Sequence, residues 1–122
     1  MLTLFGVSLK ENKKLIYALP DLYGIGLVSS RRIAYELGFS PNIKLKDLTY
    51  LQQLQLIKKI KEEYVLETNL QDKVKENVQR YILNGSFRGM RHKAKLPVRG
   101  QRTHTNAKSA RRVALRLLKD LK

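Results

Sequence analysis

The chain has no cysteine and no tryptophan, three prolines, and only ten acidic side chains against 25 basic ones in 122 residues. Without cysteine there is no disulfide framework and no thiolate metal site, and an oxidising compartment gets no support. No run of about 18 apolar residues occurs, so nothing reads as a membrane-spanning helix. Met1 to Lys10 lacks the basic, then apolar, then small-residue order of a secretory signal, and it is not an Arg- and Ser-rich transit peptide. The expectation is a protein made where it works, or one whose leader is missing from this sequence. Catalysis has little to draw on. The two histidines, His92 and His104, sit in basic runs without H-E-x-x-H spacing or an orienting carboxylate. The acids scatter over helix surfaces with no pair placed for general acid–base work. The chain therefore reads as a non-enzyme without metal or cofactor.

What is present is charge of one sign, unevenly spread. The formal net charge is +15. Residues 1–84 carry 13 basic and 9 acidic side chains, a net of +4, whereas residues 85–122 carry 12 and 1, a net of +11. Such self-repulsion does not stabilise a fold, so it points to an acidic partner: a polyphosphate backbone or an anionic membrane surface. The bland alternative is a basic tail kept for solubility.

The apolar spacing predicts helices. Leu15, Ile16, Leu19 and Leu22 recur at helical intervals, with Pro20 bending or stopping the run near Leu19. Tyr23-Gly24-Ile25-Gly26 reads as a tight reversal anchored by Ile25. A second helix over Leu27–Leu37 presents Ile33, Ala34 and Leu37, and Gly38 ends it. Thr49 and Gln52 fit a capping box, followed by a face of Leu51, Leu54, Ile57, Ile60 and Tyr64. Another helix begins near Asn69 with Leu70, Val74, Val78, Tyr81 and Ile82, and Asn84-Gly85 closes it. Val7–Lys14 is a turn or a brief strand, and no segment reads convincingly as a strand. The expected fold is all-α, with a helical domain over 1–84, an extended basic segment over 85–109 and an amphipathic helix over 110–122.

Two places invite phosphate. The Gly24–Gly26 turn opens a helix at Leu27-Val28-Ser29-Ser30-Arg31-Arg32, where free amides and the dipole favour an anion and Ser29, Ser30, Arg31 and Arg32 add donors. The same turn is equally readable as an ordinary helix corner with glycine for close packing. The second place is Ser86–Asn106, which has no apolar period and is interrupted by Gly89, Pro97 and Gly100. It is expected to order only on a partner. Arg88, Arg91, Arg99 and Arg102 lie among glycines, and Gln101, Thr103, Thr105 and Asn106 offer neutral donors for phosphates and 2′-hydroxyls. The six tyrosines fall mostly on helix faces as core and rim, and Phe87 beside Arg88 is the better stacking candidate. The final stretch places Ala110, Val113, Ala114, Leu117, Leu118 and Leu121 on one face, flanked by Arg111, Arg112, Arg116, Lys119 and Lys122.

Ser86-Phe87-Arg88-Gly89-Met90-Arg91-His92 and Leu96-Pro97-Val98-Arg99-Gly100-Gln101-Arg102-Thr103-His104-Thr105-Asn106-Ala107 resemble the signature of the small-subunit ribosomal protein S-thirteen family. The Tyr23–Gly26 turn, Gly38 and Lys46-Asp47-Leu48-Thr49 also fall where that family has them, so the resemblance spans about residues 4–109. It implies a helix–two-turn–helix head, a long helical pair and a basic extension threaded over ribosomal RNA in the small-subunit head. It also implies contacts with proteins resembling S-nineteen and L-five, a head bridge to the large subunit, and a tail reaching towards transfer RNA. Carried over, Arg88, Arg91, His92, Arg99 and Arg102 bind head RNA, with Lys93 and Lys95 in the same basic set; Lys108, Arg111 and Arg112 lie nearest transfer RNA.

The chain departs from the family where Lys95 replaces a usual glycine, where Ser86 replaces a common cysteine, and where an amphipathic helix replaces an irregular basic tail. Its Leu117, Leu118 and Leu121 suggest docking on another protein. The lysine-heavy sequence and Thr-His-Thr-Asn resemble mitochondrial versions, which here implies an organelle-encoded protein of the mitochondrial matrix. A bacterial cytoplasm or a plastid is the alternative location. The competing function classes are a DNA-binding or DNA-repair helix–two-turn–helix module, which lacks here a catalytic N-terminal proline, zinc finger and acid pair, and a membrane-surface protein using the terminal basic helix.

Overall fold

A computed structural model describes residues 2–118. They form two compact units, one up to Leu70 and one from Gln71 onward. The fold is mostly helical, but it opens with a two-stranded antiparallel hairpin, β1 (Leu2–Leu4) and β2 (Val7–Leu9), that the all-α expectation missed. Leu2 pairs with Leu9 and Leu4 with Val7, so the apolar side chains share one sheet face and Thr3 and Ser8 take the other. Phe5 and Gly6 both have positive φ, 51° and 82°, the backbone of a two-residue turn whose twist suits paired strands. The strands are only three residues each, too short for a period-2 pattern to stand out beside Val7–Lys14.

The first unit holds the core. α1 (Leu15–Ala18) gives way at Pro20 to a single 3₁₀ turn, Leu19–Asp21, as the proline requires. Leu15, Ala18, Leu19 and Leu22 are buried with Leu4 and Leu9 of the hairpin. Gly24 has φ +116°, and a Cβ there would meet the Leu66 side chain and the Val65 carbonyl at 2.9 Å. Glycine is thus needed for both its conformation and its space, while Gly26 is an extended N-cap with ordinary φ of −97°. Tyr23 N–H donates to Glu67 Oε1 at 2.8 Å, and Glu67 N–H donates back to the Tyr23 carbonyl at 3.0 Å.

α2 (Leu27–Glu36) buries Ser30, Ile33 and Ala34, one helical face. Gly38, φ +70°, terminates it: Phe39 N–H bonds the Ala34 carbonyl at 2.9 Å and Gly38 N–H the Tyr35 carbonyl at 3.0 Å. A second 3₁₀ turn, Leu45–Asp47, leads to α3 (Tyr50–Glu63). Its capping box forms as expected: Gln52 N–H donates to Thr49 Oγ1, and Thr49 N–H donates to Gln52 Oε1. The buried face, however, is Leu56 and Ile60 with Ile57 and Tyr64 half-buried; Leu51 and Leu54 are exposed. The core fixes the helix's rotation about a Leu56–Ile60 repeat, which leaves Leu51 and Leu54 off the buried face. Glu36 ties α2 to α3, its carboxylate accepting from Arg32 Nε at 2.7 Å and Lys59 Nζ at 2.8 Å. These cations, Arg32 first, hold the Glu36 carboxyl below its ordinary range, so the pair stabilises the fold above the usual carboxylate pKa and weakens as pH falls through the lowered one.

α4 (Glu67–Leu83) carries no buried residue; Leu70, Val74, Val78 and Ile82 are half-buried along one i, i+4 line, and Tyr81 is exposed. Gly85, φ +65°, follows it. Here the expectation of a structureless Ser86–Asn106 is corrected, because Phe87–Lys93 forms a further helix, α5. Ser86 caps it, its Oγ accepting from Gly89 N–H at 3.2 Å and donating to the Tyr81 carbonyl at 2.9 Å. Gly89 breaks nothing. It is the buried residue by which α5 lies against α4, and a Cβ there would fall 1.9 Å from the Tyr81 oxygen. From Ala94 to Ala107 the chain has no helix, and α6 (Lys108–Leu118) closes the described residues.

The Gly89 contact sets up a competition of known sizes. Gly89→Ala gains about 1 kcal/mol of helix propensity, but it must push α5 off the Tyr81 carbonyl, an overpacking cost of about 1–3 kcal/mol. The expected outcome is a lower unfolding midpoint with faster amide exchange over residues 87–93. Unchanged exchange there contradicts the packing role.

Candidate nucleic-acid interface

The signature stretch is built outward from α4. Because Gly89 faces α4, helical geometry turns Phe87 and Arg91, two residues to either side, away from it. Arg91 lies with its guanidinium carbon 6.0 Å from the Phe87 ring centroid, and its Nε donates to the Pro97 carbonyl at 3.1 Å. Arg88 reaches back over the Tyr81 ring at 5.7 Å. Both arginines are thus held by aromatic faces, whose quadrupoles attract cations. His92 is half-buried and Lys93 exposed in the last turn of α5, where the negative end of the helix dipole favours positive charge.

The end of α5 explains the unusual lysine. Lys95 has φ +59°, the left-handed conformation that glycine adopts freely, while its N–H bonds the His92 carbonyl at 3.0 Å and Leu96 N–H bonds the Arg91 carbonyl at 3.0 Å. This is a glycine-type helix terminator occupied by a lysine. Beyond it, Arg99, Gln101, Arg102, Thr103 and Asn106 are all exposed. Gln101, Arg102 and Asn106, with Pro97 and Lys108, line an open cleft of about 490 Å³ that runs to the start of α6. Lys108, Arg111 and Arg112 are exposed on α6, while Ala114 is buried and Leu117 half-buried. Leu118 is the last described residue; Leu121, with Lys119 and Lys122, lies outside the described residues.

The α2 candidates divide. Ser30 is corrected: it is fully buried, on the same face as Ile33 and Ala34, and its hydroxyl donates to the Ile16 carbonyl at 2.9 Å, so it offers nothing to a ligand. Ser29 is half-buried and Arg31 exposed. Arg32 is exposed with its Nε committed to Glu36, whose carboxylate raises the guanidinium pKa. The tyrosines are corrected too: Tyr17, Tyr23, Tyr35, Tyr50 and Tyr81 are exposed and only Tyr64 is half-buried, since the core is filled by leucine and isoleucine. Phe87 and Arg91 were each legible as candidates in the sequence, but their pairing on one face of a helix was not. Their i, i+4 spacing was the available signal, hidden by reading Gly89 as a breaker.

Residues 3–109 match the family described as Ribosomal protein S13/S18. The chain is 39% identical over 110 residues to a protein named small ribosomal subunit protein uS13m from Marchantia polymorpha, covering 90% of this chain and 92% of that one. It is 39% identical over 112 residues to the uS13m of Daucus carota, covering 92% and 97%. A bacterial relative, the small ribosomal subunit protein uS13 of Petrotoga mobilis, is 41% identical over 109 residues, 89% of this chain and 90% of that one.

Lys95→Gly relieves the left-handed backbone and should raise stability by about 1 kcal/mol, read as a higher thermal midpoint. Lys95→Ala, which keeps a Cβ, should leave the midpoint where it is. Equal midpoints for the two variants contradict the assignment of a strained terminator.

Proposed function

The chain belongs to the ribosomal protein S13/S18 family and is a structural, non-enzymatic constituent of the small ribosomal subunit; from that premise we propose that its segment Arg88–Asn106 binds ribosomal RNA of the subunit head. The observation that carries this reading is the exposed row of Arg88, Lys93, Lys95, Arg99 and Arg102 issuing from a helix anchored on α4. Arginines neutralise phosphates and form bidentate bonds, and Gly100 (φ +67°) turns the backbone without a side chain in the way. Gln101, Thr103 and Asn106 donate to phosphate and 2′-hydroxyl oxygens. The helical unit up to Leu70 contributes Ser29, Arg31 and Arg32 as an accessory backbone contact.

On the same reading, Lys108, Arg111 and Arg112 on α6 face transfer RNA, while Leu117, Leu118 and Leu121 dock on a protein neighbour. Proteins resembling S-nineteen and L-five are the expected protein partners, the latter across the bridge to the large subunit. The particle is mitochondrial on this reading, which the plant uS13m relatives support; the bacterial relatives, at comparable identity, support a bacterial small subunit as the second reading. No observation favours the DNA-repair or membrane-surface readings.

Each lost phosphate contact lowers the salt slope of binding by about 0.7–0.9. The double variant Arg99→Gln, Arg102→Gln should therefore reduce the slope of log affinity against log salt by about 1.5, measured on small-subunit head RNA, with helical circular dichroism unchanged. An unchanged slope contradicts the proposed RNA contact.

A further inference from the structure

Phe87 is out of place as a packing residue. It is the first residue of α5, yet it is 66% exposed although it is one of only three phenylalanines in the chain. A large apolar ring left in water costs burial energy that the fold does not recover. Its surroundings are built rather than incidental. Gly89 presses α5 onto α4 through the opposite helix face, so Phe87 is turned outward by backbone packing. Arg91 lies against the ring at 6.0 Å, and that guanidinium is itself tethered through Nε to the Pro97 carbonyl. Pro97 is buried. The ring therefore belongs to a pre-ordered aromatic–guanidinium pair, with most of its surface open, in a segment whose neighbours Arg88, Lys93 and Lys95 are cationic.

We propose that Phe87 and Arg91 form a stacking platform for one unstacked nucleobase of RNA. An aromatic ring and an arginine plane are the two protein surfaces on which bases stack, and each base has a π face, so stacking tolerates any of the four bases. The polarised ring attracts the cation on one side and presents the other to the base, and the cation adds a phosphate contact close by. The tether to Pro97 removes rotamer freedom before binding, so less entropy is lost when the base arrives. A surface seeking an apolar protein neighbour would not pair its ring with a tethered guanidinium in a cationic segment; a folded RNA with an extruded base matches both the ring and the charge of that segment. This inference rests on the RNA-binding reading above and adds to it a contact with a base in place of the backbone alone.

The chain has six tyrosines but no tryptophan, so Phe87→Trp introduces the one indole of the full-length protein at the site, excited selectively at the red edge where tyrosine does not absorb. The probe is a small-subunit head RNA fragment, with binding followed independently by mobility shift. Stacking predicts binding with strong quenching of the indole emission that saturates with the mobility shift. Phe87→Leu, which keeps apolar bulk without a π face, should weaken binding about ten-fold with the salt slope unchanged. Binding without quenching, together with wild-type affinity for Phe87→Leu, overturns the platform and leaves the RNA-binding reading standing. Absence of any binding by the wild-type chain overturns both.

Discussion

The approach of Gly89 to the Tyr81 carbonyl governs the second half of this molecule. A backbone-to-backbone contact of that kind admits no side chain, and a Cβ 1.9 Å from an oxygen cannot be accommodated by rotamer change. It fixes which face of α5 meets α4 and thereby which residues point outward. Ser86 reinforces it by bonding both the Tyr81 carbonyl and the Gly89 amide. Phe87, Arg88 and Arg91 inherit their positions from this clasp, and the left-handed turn at Lys95 then directs the chain into the exposed Arg99–Asn106 stretch.

The two units are stabilised by different means. Up to Leu70, a cluster of leucines, isoleucines and alanines is buried beneath the hairpin, α2 and α3, and Glu36 links the two helices with paired cations. From Gln71 onward the described residues bury little: Gly89, Pro97 and Ala114 are the buried positions. Small apolar burial and a high density of like charge leave such a segment weakly stabilised by itself, and on the proposed reading polyanion binding supplies the missing favourable term. On the proposed reading, the first part is a folded body and the second part is completed by ribosomal RNA.

Much of this organisation was legible in the residues. Gly38 and Gly85 mark helix ends with positive φ, Thr49 and Gln52 cap α3 reciprocally, and Leu70, Val74, Val78 and Ile82 line one side of α4. What was not legible depends on partners far away in the chain. Leu51 and Leu54 share helical spacing with Ile57 and Ile60, but only tertiary packing decides that Leu56 takes the core and they do not. Ser30 looks like a donor at a helix start, yet its place above Ile33 and Ala34 turns it inward to Ile16. A glycine within a run of cations reads locally as a break, whereas Gly89 serves a contact with residue 81 that no local rule encodes. The hairpin strands are too short for alternation to outweigh their helical neighbours.

The segment clasped onto α4 is proposed as the RNA-contacting part of the protein in its own particle. Ultraviolet cross-linking of intact small subunits, with peptide–RNA adducts mapped by mass spectrometry, addresses it directly. Adducts between small-subunit ribosomal RNA and residues 87–106 are expected, with Phe87 among the modified positions. Adducts confined to residues before Leu70, with none in that segment, would contradict it.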